Sequence, residues 1–264
     1  MPSAANDLGS LLRYWRDVRG KSQLELSIDT GGSQRHISFI ESGRSVPGRE
    51  LLMDIAQALD VPLRERNVLL MAAGYAPMYA EAAWSADETD SVTRALQRML
   101  RQHEPYPALV MDRYWNVLQT NDAAPRFFNR FIDMARRQGP RNVLHLMFDP
   151  AGMRPFIVNW DDVAKSLIQR VYRESVGRTV DEPLRQLLAA LMAYPGVPAD
   201  WTKPGTRGTA AELPFVPIRF LLGGRELSYF SMVTTVGTPQ TVAAQELRIE
   251  CLFPADEATE KHHP

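Results

Sequence analysis

Residues 22–43 read Ser-Gln-Leu-Glu-Leu-Ser-Ile-Asp-Thr-Gly-Gly-Ser-Gln-Arg-His-Ile-Ser-Phe-Ile-Glu-Ser-Gly, and they decide the fold of the amino-terminal part of the chain. Ser22 followed three residues later by Glu25 is a capping box, so a helix is predicted to begin here. Gly31 stands where the chain must turn sharply, because glycine adopts left-handed backbone angles without strain. Ser33 can cap a second helix. The stretch therefore predicts two short helices joined by a tight turn.

The apolar residues orient both helices. In the first helix, Leu24 and Ile28 are expected to supply the apolar contacts, with Leu26 less ideally placed. In the second, Ile37 and Ile40 lie three residues apart and define the buried side. The remaining side chains of the second helix are mostly polar and are expected to point away from the core.

A polar helix of this kind fits the major groove of DNA, where residues near its amino end reach base edges. Glutamine pairs with adenine and arginine with guanine through two hydrogen bonds, and a helix amino terminus suits a phosphate. The alternative is a helical hairpin whose polar face is only solvated. We predict double-stranded DNA as a partner, with these contact residues: Gln23, Ser33, Gln34, Arg35, His36, Ser38, Phe39, Arg44 and Arg49.

On these residues, the sequence resembles the XRE, or lambda-repressor-like, family of helix-turn-helix proteins over residues 8–75. The most specific part runs from Gly31 to Gly43. The resemblance implies an all-α bundle of five helices that binds DNA. Its helices are expected at Leu8–Arg19, at the two segments described above, at Arg49–Leu59, and between Pro62 and Gly74.

The charge balance is unusual for a DNA-binding protein. The 264 residues carry a formal net charge of −1, and residues 1–75 contain nine Lys or Arg and nine Asp or Glu. DNA-binding domains are usually basic on one face. Because Lys21, Arg35, Arg44 and Arg49 flank the proposed reading helix, we expect a local positive patch on a balanced domain and only modest non-specific affinity.

Composition narrows the class of protein. The length and the 45% hydrophobic content allow two domains with substantial cores. The single cysteine, Cys251, excludes an internal disulfide, lies in an apolar run and is expected to be buried. With no recognisable signal peptide or membrane-spanning stretch, the sequence is expected to belong to a cytoplasmic protein with no membrane partner.

The pattern changes after residue 105, where short apolar runs alternate with amphipathic segments. We predict an α+β second domain with a five-stranded antiparallel sheet and helices on one face, a PAS-like arrangement that encloses a small-molecule pocket. The predicted strands are Ala108–Met111, Trp115–Thr120, Val216–Leu222, Glu226–Val236 and Gln245–Phe253, with Gly223-Gly224 as a hairpin turn. The predicted helices are one capped by Asn121-Asp122 and reaching Arg136, then Val143–Phe148, Trp160–Ser175 and Asp181–Ala193.

Several phrases in this part resemble the MmyB-like regulators, in which a helix-turn-helix domain precedes a PAS-like ligand-binding domain. They include Pro105–Asp112, Trp115–Leu118, Asn142-Val143-Leu144, Arg154-Pro155-Phe156, Gly237–Gln240 and Phe253–Asp256. The resemblance implies a bacterial one-component regulator, a repressor by family default, that acts as a homodimer. It also implies a small apolar or fatty-acid-like ligand and no other cofactor.

Ligand pockets are mostly apolar with a few fixed polar groups. The predicted wall consists of Trp115, Phe127, Phe131, Leu146, Phe148, Trp160 and Phe230, and the predicted polar anchors are Arg154, Asn159, Asn121 and His145. Arg154 would suit a carboxylate through two parallel hydrogen bonds. Each choice has a structural alternative. The aromatic residues could instead form a plain core, and Asn121 could be a helix cap. Arg154 could pair with Asp149, and His145 could be a half-buried histidine with its hydrogen bonds satisfied.

The predicted division is a helix-turn-helix domain at residues 1–76, a connector with a linking helix at 77–104, a ligand-binding domain at 105–256 and a flexible tail at 257–264. The linking helix, from about Asp90 to His103, either packs on its domain or serves as a signalling or dimer helix. No catalytic motif or metal-ligand spacing is recognisable, so an enzyme is not expected. The alternative to a ligand-responsive regulator is one whose second domain only dimerises or contacts a protein.

Overall fold

The computed structural model describes residues 7–81, 86–175, 181–202 and 216–264. The chain divides into two compact units: unit 1 comprises Met1–Ala83 and Gly237–Gln245, and unit 2 comprises Trp84–Val236 and Glu246–Pro264. Trp84 and Ser85 of the predicted connector lie outside the described residues. Within the described ranges, no helix combines the length and the apolar character that crossing a bilayer would require.

Unit 1 contains the expected bundle of five helices. Its helices are α1 (Leu8–Val18), α2 (Gln23–Asp29), α3 (Gln34–Glu41), α4 (Arg49–Ala58) and α5 (Leu63–Ala72). Their apolar sides form one core that includes Leu11, Leu12, Leu26, Ile37, Ile40, Leu52 and Ile55. The predicted boundaries agree with these helices to within one or two residues.

The expected apolar contacts of α2 were wrong in detail. Leu26 is 1% exposed, whereas Leu24 and Ile28 are 52% and 70% exposed. Each of the two lies two positions from Leu26, and a helix advances by about 100° per residue, so both point away from the side that Leu26 buries. The inward side of α2 is completed by the small, buried Ser27, whose hydroxyl donates to the carbonyl of Leu24 at 2.7 Å.

Helix α1 crosses the end of α3 at Gly9, which gives the first testable prediction. A Cβ at position 9 would lie 2.5 Å from the carbonyl oxygen of Glu41 and 2.8 Å from that of Ile40. Alanine normally stabilises a helix interior by about 1 kcal/mol relative to glycine, but overpacking against backbone costs about 1–3 kcal/mol. We therefore expect Gly9→Ala to destabilise unit 1, as measured by denaturant unfolding of the full chain.

Gly237→Ala is the matched control for this prediction, because no atom lies within 4 Å of a Cβ built at that position. We expect its effect on the free energy of unfolding to stay within about 0.5 kcal/mol. A Gly9→Ala protein as stable as Gly237→Ala would show that α1 and α3 can separate without loss.

Unit 2 is built on a five-stranded sheet in the order β2-β1-β5-β4-β3, with every neighbouring pair antiparallel. The strands are β1 (Ala108–Met111), β2 (Val117–Thr120), β3 (Ile218–Leu222), β4 (Arg225–Thr234) and β5 (Arg248–Pro254). The larger helices are α6 (Ala86–Gln102), α7 (Ala123–Phe128), α8 (Val143–Phe148), α9 (Trp160–Ser175) and α10 (Glu182–Met192), and a shorter one is α12 (Glu257–Lys261). The short helix α11 (Val242–Glu246) lies almost entirely in the segment that belongs to unit 1. The predicted α+β class and the antiparallel sheet are confirmed.

Helices cover both faces of this sheet, not one as expected. All four residues of β1 are buried. Leu109 and Met111 join the large core with α7 to α10, while Ala108 and Val110 pack with Leu96 and Leu100 of α6. Successive side chains of a strand point to opposite faces. The apolar stripe of α6 is thus explained by packing within unit 2.

The helix expected to reach Arg136 ends at Phe128. Asn129 and Asp133 explain the early end, because their side chains accept hydrogen bonds from the backbone N–H groups of Met134 and Ala135. Such local bonds offer the backbone an alternative to the helix. The last strand also begins later than expected, at Arg248, since residues 242–246 are helical.

Residues 257–264, expected to be a flexible tail, form the short helix α12 and make several hydrogen bonds within unit 2. Asp256 caps α12 by accepting from the N–H of Thr259 at 2.6 Å. The buried hydroxyl of Thr259 accepts from the N–H of Ser228 at 2.9 Å. His263 is hydrogen-bonded to the hydroxyl of Tyr229 at 2.8 Å and to the carbonyl of Pro105 at 2.9 Å.

Candidate DNA-binding surface and ligand cavity

Helix α3 presents its predicted reading side to the surface. Ser33 caps the helix, its hydroxyl accepting from the N–H of His36 at 3.2 Å. Gln34 and Arg35 are exposed, while Ile37 and Ile40 are buried, at 2% and 1% exposed. The remaining predicted contacts of the helix, His36, Ser38 and Phe39, are half-exposed.

Two arginines are held over one aromatic ring. The guanidinium carbon of Arg35 lies 5.2 Å from the ring centroid of Phe39, and that of Arg44 lies 5.7 Å from it. The N–H of Arg44 also donates to the carbonyl of Phe39 at 2.8 Å, beside Gly43 with its φ of 72°. These cation–π contacts restrict where the two charges can go before any partner binds.

The cations of unit 1 fall into two groups. Arg13, Arg16, Arg19, Lys21 and Arg64 each form an ion pair with a carboxylate of the same unit. In contrast, Arg35, Arg44 and Arg49 have no carboxylate partner among the described residues. Arg66 of α5 also has no carboxylate partner among them, but its guanidinium donates to the carbonyl of Val61 and to the hydroxyl of Tyr79. A nearly neutral domain thus keeps most of its uncommitted positive charge on and after α3, as the expected local patch requires.

A buried carboxylate holds this region together. Glu41 is 3% exposed, and its two oxygens accept from Nε and Nη2 of Arg16 at 2.6 and 3.1 Å. Gln23, a predicted DNA contact, uses its amide nitrogen to donate to Glu41 at 2.8 Å. Burial raises the pKa of Glu41, but the bonds from Arg16 and Gln23 and the nearby positive charges outweigh it, so the pKa lies below its ordinary value.

Unit 2 contains a cavity of about 170 Å³. It lies between the β1–β2 side of the sheet and the segments around α7 and α8. The side chains that line it are mostly aliphatic: Leu109, Val117, Thr120, Ala124, Pro125, Phe128, Met134, Arg137, Pro140, Arg141, Asn142, Val143 and Leu146. Of the residues predicted to form a pocket wall, this set contains Leu146.

A smaller cavity of about 40 Å³ lies next to the larger one, and the two share Leu109, Phe128 and Val143. Trp115 lines this smaller cavity together with Glu250. The backbone of Trp115 has a φ of 67°, a rare conformation for a bulky residue, and its ring is 1% exposed. The guanidinium carbons of Arg170 and Arg248 lie 4.7 and 5.4 Å from its centroid.

Most of the other predicted aromatic residues pack in the core, whereas Phe230 is only half-buried. The rings of Phe127 and Phe131 are 5.3 Å apart, and those of Phe148 and Trp160 are 5.7 Å apart, both within the main cluster. Phe230 stacks on Phe253 at 5.4 Å. None of these five predicted wall residues lines either cavity described above.

The predicted polar anchors have structural partners of their own. Asn121 accepts from the N–H groups of Ala108 and Ala124 and donates to Tyr106. Asn159 donates to the carbonyl of Pro217 and accepts from the N–H of Arg219.

Arg154 and His145 are occupied in the same way. The guanidinium of Arg154 stacks on Trp160 at 3.8 Å and donates to the carbonyl of Pro195, so it does not pair with Asp149. His145 is bonded to the hydroxyl of Tyr194 at 2.9 Å, and burial together with the charge of Arg137 lowers the pKa of His145.

The sequence prediction missed Arg137. This residue lines the larger cavity with a side chain that is 10% exposed. Gly139 gives a local reason for its position, because a Cβ at that residue would overlap the guanidinium of Arg137. The only signal in the sequence was the Gly139-Pro140 turn, which lies beyond the helix that was expected to end at Arg136.

Neither metal nor thiol chemistry is indicated by the described residues. They contain no group of three or more His, Cys, Asp or Glu side chains that could hold a metal ion. Cys251 is buried and unpaired, and burial raises its pKa, which disfavours the reactive thiolate.

Comparison with known proteins gives matches to both parts of the chain. Residues 12–66 match a family model described as helix-turn-helix, and residues 92–263 match the model of the MmyB-like transcription regulator ligand binding domain. The second match alone covers more than half of the chain.

One curated relative and one solved structure show similarity to shorter stretches. An uncharacterized HTH-type transcriptional regulator, y4dL of Sinorhizobium fredii (strain NBRC 101917 / NGR234), is 46% identical over 52 residues, which are 20% of this chain and 26% of the relative. The crystal structure of the clp gene regulator ClgR from Corynebacterium glutamicum is 27% identical and has a TM-score of 0.24, covering 39% of this chain and 97% of that one.

Proposed function

The chain belongs to the MmyB-like transcription regulators, and from that premise we propose that a small apolar ligand bound in unit 2 controls how unit 1 binds its operator DNA. The helix-turn-helix and the ligand-binding domain make it a DNA-binding transcriptional regulator. The proposal adds ligand control, repression as the default output, a homodimer as the acting form, and regulation in place of catalysis.

One observation carries the DNA-binding part of the proposal. The guanidinium groups of Arg35, Arg44 and Arg49 have no carboxylate partner among the described residues, while five other cations of unit 1 do. Phosphate binding needs such uncommitted positive charge. In this proposal, Gln34 and Arg35 at the exposed amino end of α3 read base edges.

The cavity of about 170 Å³ favours ligand control over a unit that only dimerises. Folded interiors are close-packed, so an apolar space of this size is a feature that simple association does not require. The chain connectivity also offers a covalent path by which a change in unit 2 can reach unit 1. Residues 237–245 follow β4 and precede β5, yet they belong to unit 1, where Gln245 accepts from the N–H of Leu63 at 2.7 Å.

In the proposed mechanism, two subunits place their α3 helices in successive major grooves about one helical turn apart. A ligand that prefers one arrangement of unit 2 shifts the dimer toward or away from this spacing. Such a shift requires the ligand to bind the two arrangements with different affinities.

Salt dependence of DNA binding tests this proposal. If each subunit of a dimer neutralises three phosphates, the slope of log K against log salt is about −5. We expect a gel shift on the DNA upstream of the protein's own coding region, with this slope in a salt titration. Absence of binding at low salt would contradict the assignment of unit 1 as the DNA-binding domain. Ligand control would be contradicted if apolar molecules extracted from the purified protein did not alter its binding to DNA.

A further inference from the structure

Arg137 carries buried hydrogen-bond donors that the described part of the protein does not satisfy. Its Nη1 donates to the carbonyl of Pro140 at 2.8 Å, but Nε and Nη2 are buried with no acceptor among the described residues. The carboxylate of Asp149 lies 3.6 Å from Nη2, beyond hydrogen-bond distance. Buried unsatisfied donors of a charged group are costly and rare, so this pair requires a physical explanation.

The two unsatisfied atoms share one edge of the planar guanidinium. An arginine can offer such an edge to both oxygens of a carboxylate at once. The same chain provides an example: Nε and Nη2 of Arg16 bind the two oxygens of Glu41 at 2.6 and 3.1 Å. The same edge of Arg137 has the two donors needed to bind a carboxylate in this way.

The cavity that Arg137 lines indicates the size and polarity of the rest of a bound carboxylic acid. Its wall includes Leu109, Phe128, Val143 and Leu146. A cavity of about 150 Å³ lined by such side chains holds one benzene. A space of about 170 Å³ therefore suits a single ring or a chain of roughly six to eight carbons, with its charged head at the guanidinium.

We propose that this cavity binds a compact apolar monocarboxylate, such as an aromatic or short aliphatic acid, and that the Nε–Nη2 edge of Arg137 binds its carboxylate. The inference rests on the proposed ligand control and adds the residue that binds the carboxylate and a size limit for the apolar part of the ligand. Asp149 competes with that carboxylate as the anion already beside Arg137. Its side chain is 26% exposed and is held by the N–H of Ala151, which donates to Oδ1 at 2.8 Å.

Titration of the full chain with benzoate and hexanoate, each compared with its neutral alcohol, tests the proposal. Binding is followed by calorimetry or ligand-observed NMR. We expect the acids to bind at least about tenfold more tightly than benzyl alcohol and hexanol. Arg137→Leu should weaken acid binding by about tenfold to a hundredfold. Arg137→Lys keeps the charge but cannot donate two parallel hydrogen bonds, so it should retain part of the affinity.

Asp149→Asn provides a change in the opposite direction. The asparagine keeps the acceptor for Ala151 but removes the competing charge, so acid affinity should rise. If Arg137 and Asp149 formed only a structural pair, this variant would lower the melting temperature and leave acid affinity unchanged. If Arg137→Leu fails to fold, Arg137→Lys and Asp149→Asn still decide the question.

Two outcomes would overturn the inference: alcohols that bind as tightly as acids, or acid binding by a folded Arg137→Leu protein that equals the wild type. These failures differ from failure of the proposed function. A neutral apolar molecule that alters DNA binding would leave ligand control intact and remove the role of Arg137. Acids that bind through Arg137 but leave DNA binding unchanged would support the role of Arg137 and contradict ligand control.

Discussion

Replacement of Glu41 by alanine is expected to lower the free energy of unfolding of unit 1 by about 3–5 kcal/mol. The carboxylate is 2% exposed and pairs with Arg16, whose side chain is 13% exposed, so its removal leaves a largely buried guanidinium uncompensated. Gln23 loses its hydrogen-bond acceptor and Arg13 loses its ion-pair partner as well. Amide hydrogen exchange of unit 1 in the full chain measures the loss directly.

Asp54→Ala is the matched control, since it removes an exposed carboxylate from a helix of the same unit. Its effect should stay within about 0.5 kcal/mol. Glu41→Gln should lie between the two, because its amide oxygen can still accept from Arg16 but carries no charge. Equal stability of Glu41→Ala and Asp54→Ala would mean that the Arg16–Glu41 pair does not support the bundle.

The pH dependence of the same variants gives a second measurement. The folded-state pKa of Glu41 is below its ordinary value of 4.5, so its ionised form stabilises the fold fully above that pH. The contribution is lost as the pH falls through the lower folded-state pKa. The stability difference between wild type and Glu41→Gln should therefore be constant near neutral pH and shrink below about 4.5.

Helix-turn-helix geometry could be predicted from the sequence because its signals are local. Ser22 and Glu25 satisfy each other's backbone N–H groups at 3.2 and 2.7 Å, as the capping box implied. Gly31 has a φ of 66° at the turn between the two helices. Each of these signals acts over no more than four residues, and none depends on the rest of the chain.

The role of Glu41 could not be predicted in the same way. Its partner Arg16 is 25 positions away in another helix, and the sequence offers many other possible pairs for an acidic residue at a helix end. The inversion between Leu24 and Leu26 has a similar origin. In a helix of seven residues, two alternative apolar sides differ by one side chain, and tertiary packing decides between them.

The two cavities lie away from most of the predicted wall for a physical reason. Aromatic residues were chosen as the wall, but Phe127, Phe148 and Trp160 fill the main core with ring contacts. Large rings bury the most area and pack most completely, so an open space remains where smaller aliphatic side chains such as Val143 and Leu146 lie. Composition and spacing alone do not show where packing is incomplete.

Replacement of Arg35 or Gln34 by alanine is expected to cost about 1–3 kcal/mol of binding free energy on the true operator, with little effect on folding. Both side chains are exposed at the start of α3. A base-reading residue also discriminates, so each variant should relax sequence preference at one operator position. Operators selected from random DNA by wild type and variants at one fixed salt concentration measure both effects.

Arg49→Ala separates base reading from phosphate binding in the same experiment. Arg49 is the first residue of α4 and carries unpaired positive charge among the described residues, which suits a phosphate. Its loss should weaken binding equally on all sequences and reduce the salt slope by about 1 per site. Arg225→Ala, which removes an exposed arginine of unit 2, controls for a general loss of positive charge.

Wild-type affinity and sequence preference in both Gln34→Ala and Arg35→Ala would mean that α3 does not read the bases. Because Ser33 caps α3 independently of these two side chains, such a result could not be attributed to loss of the helix.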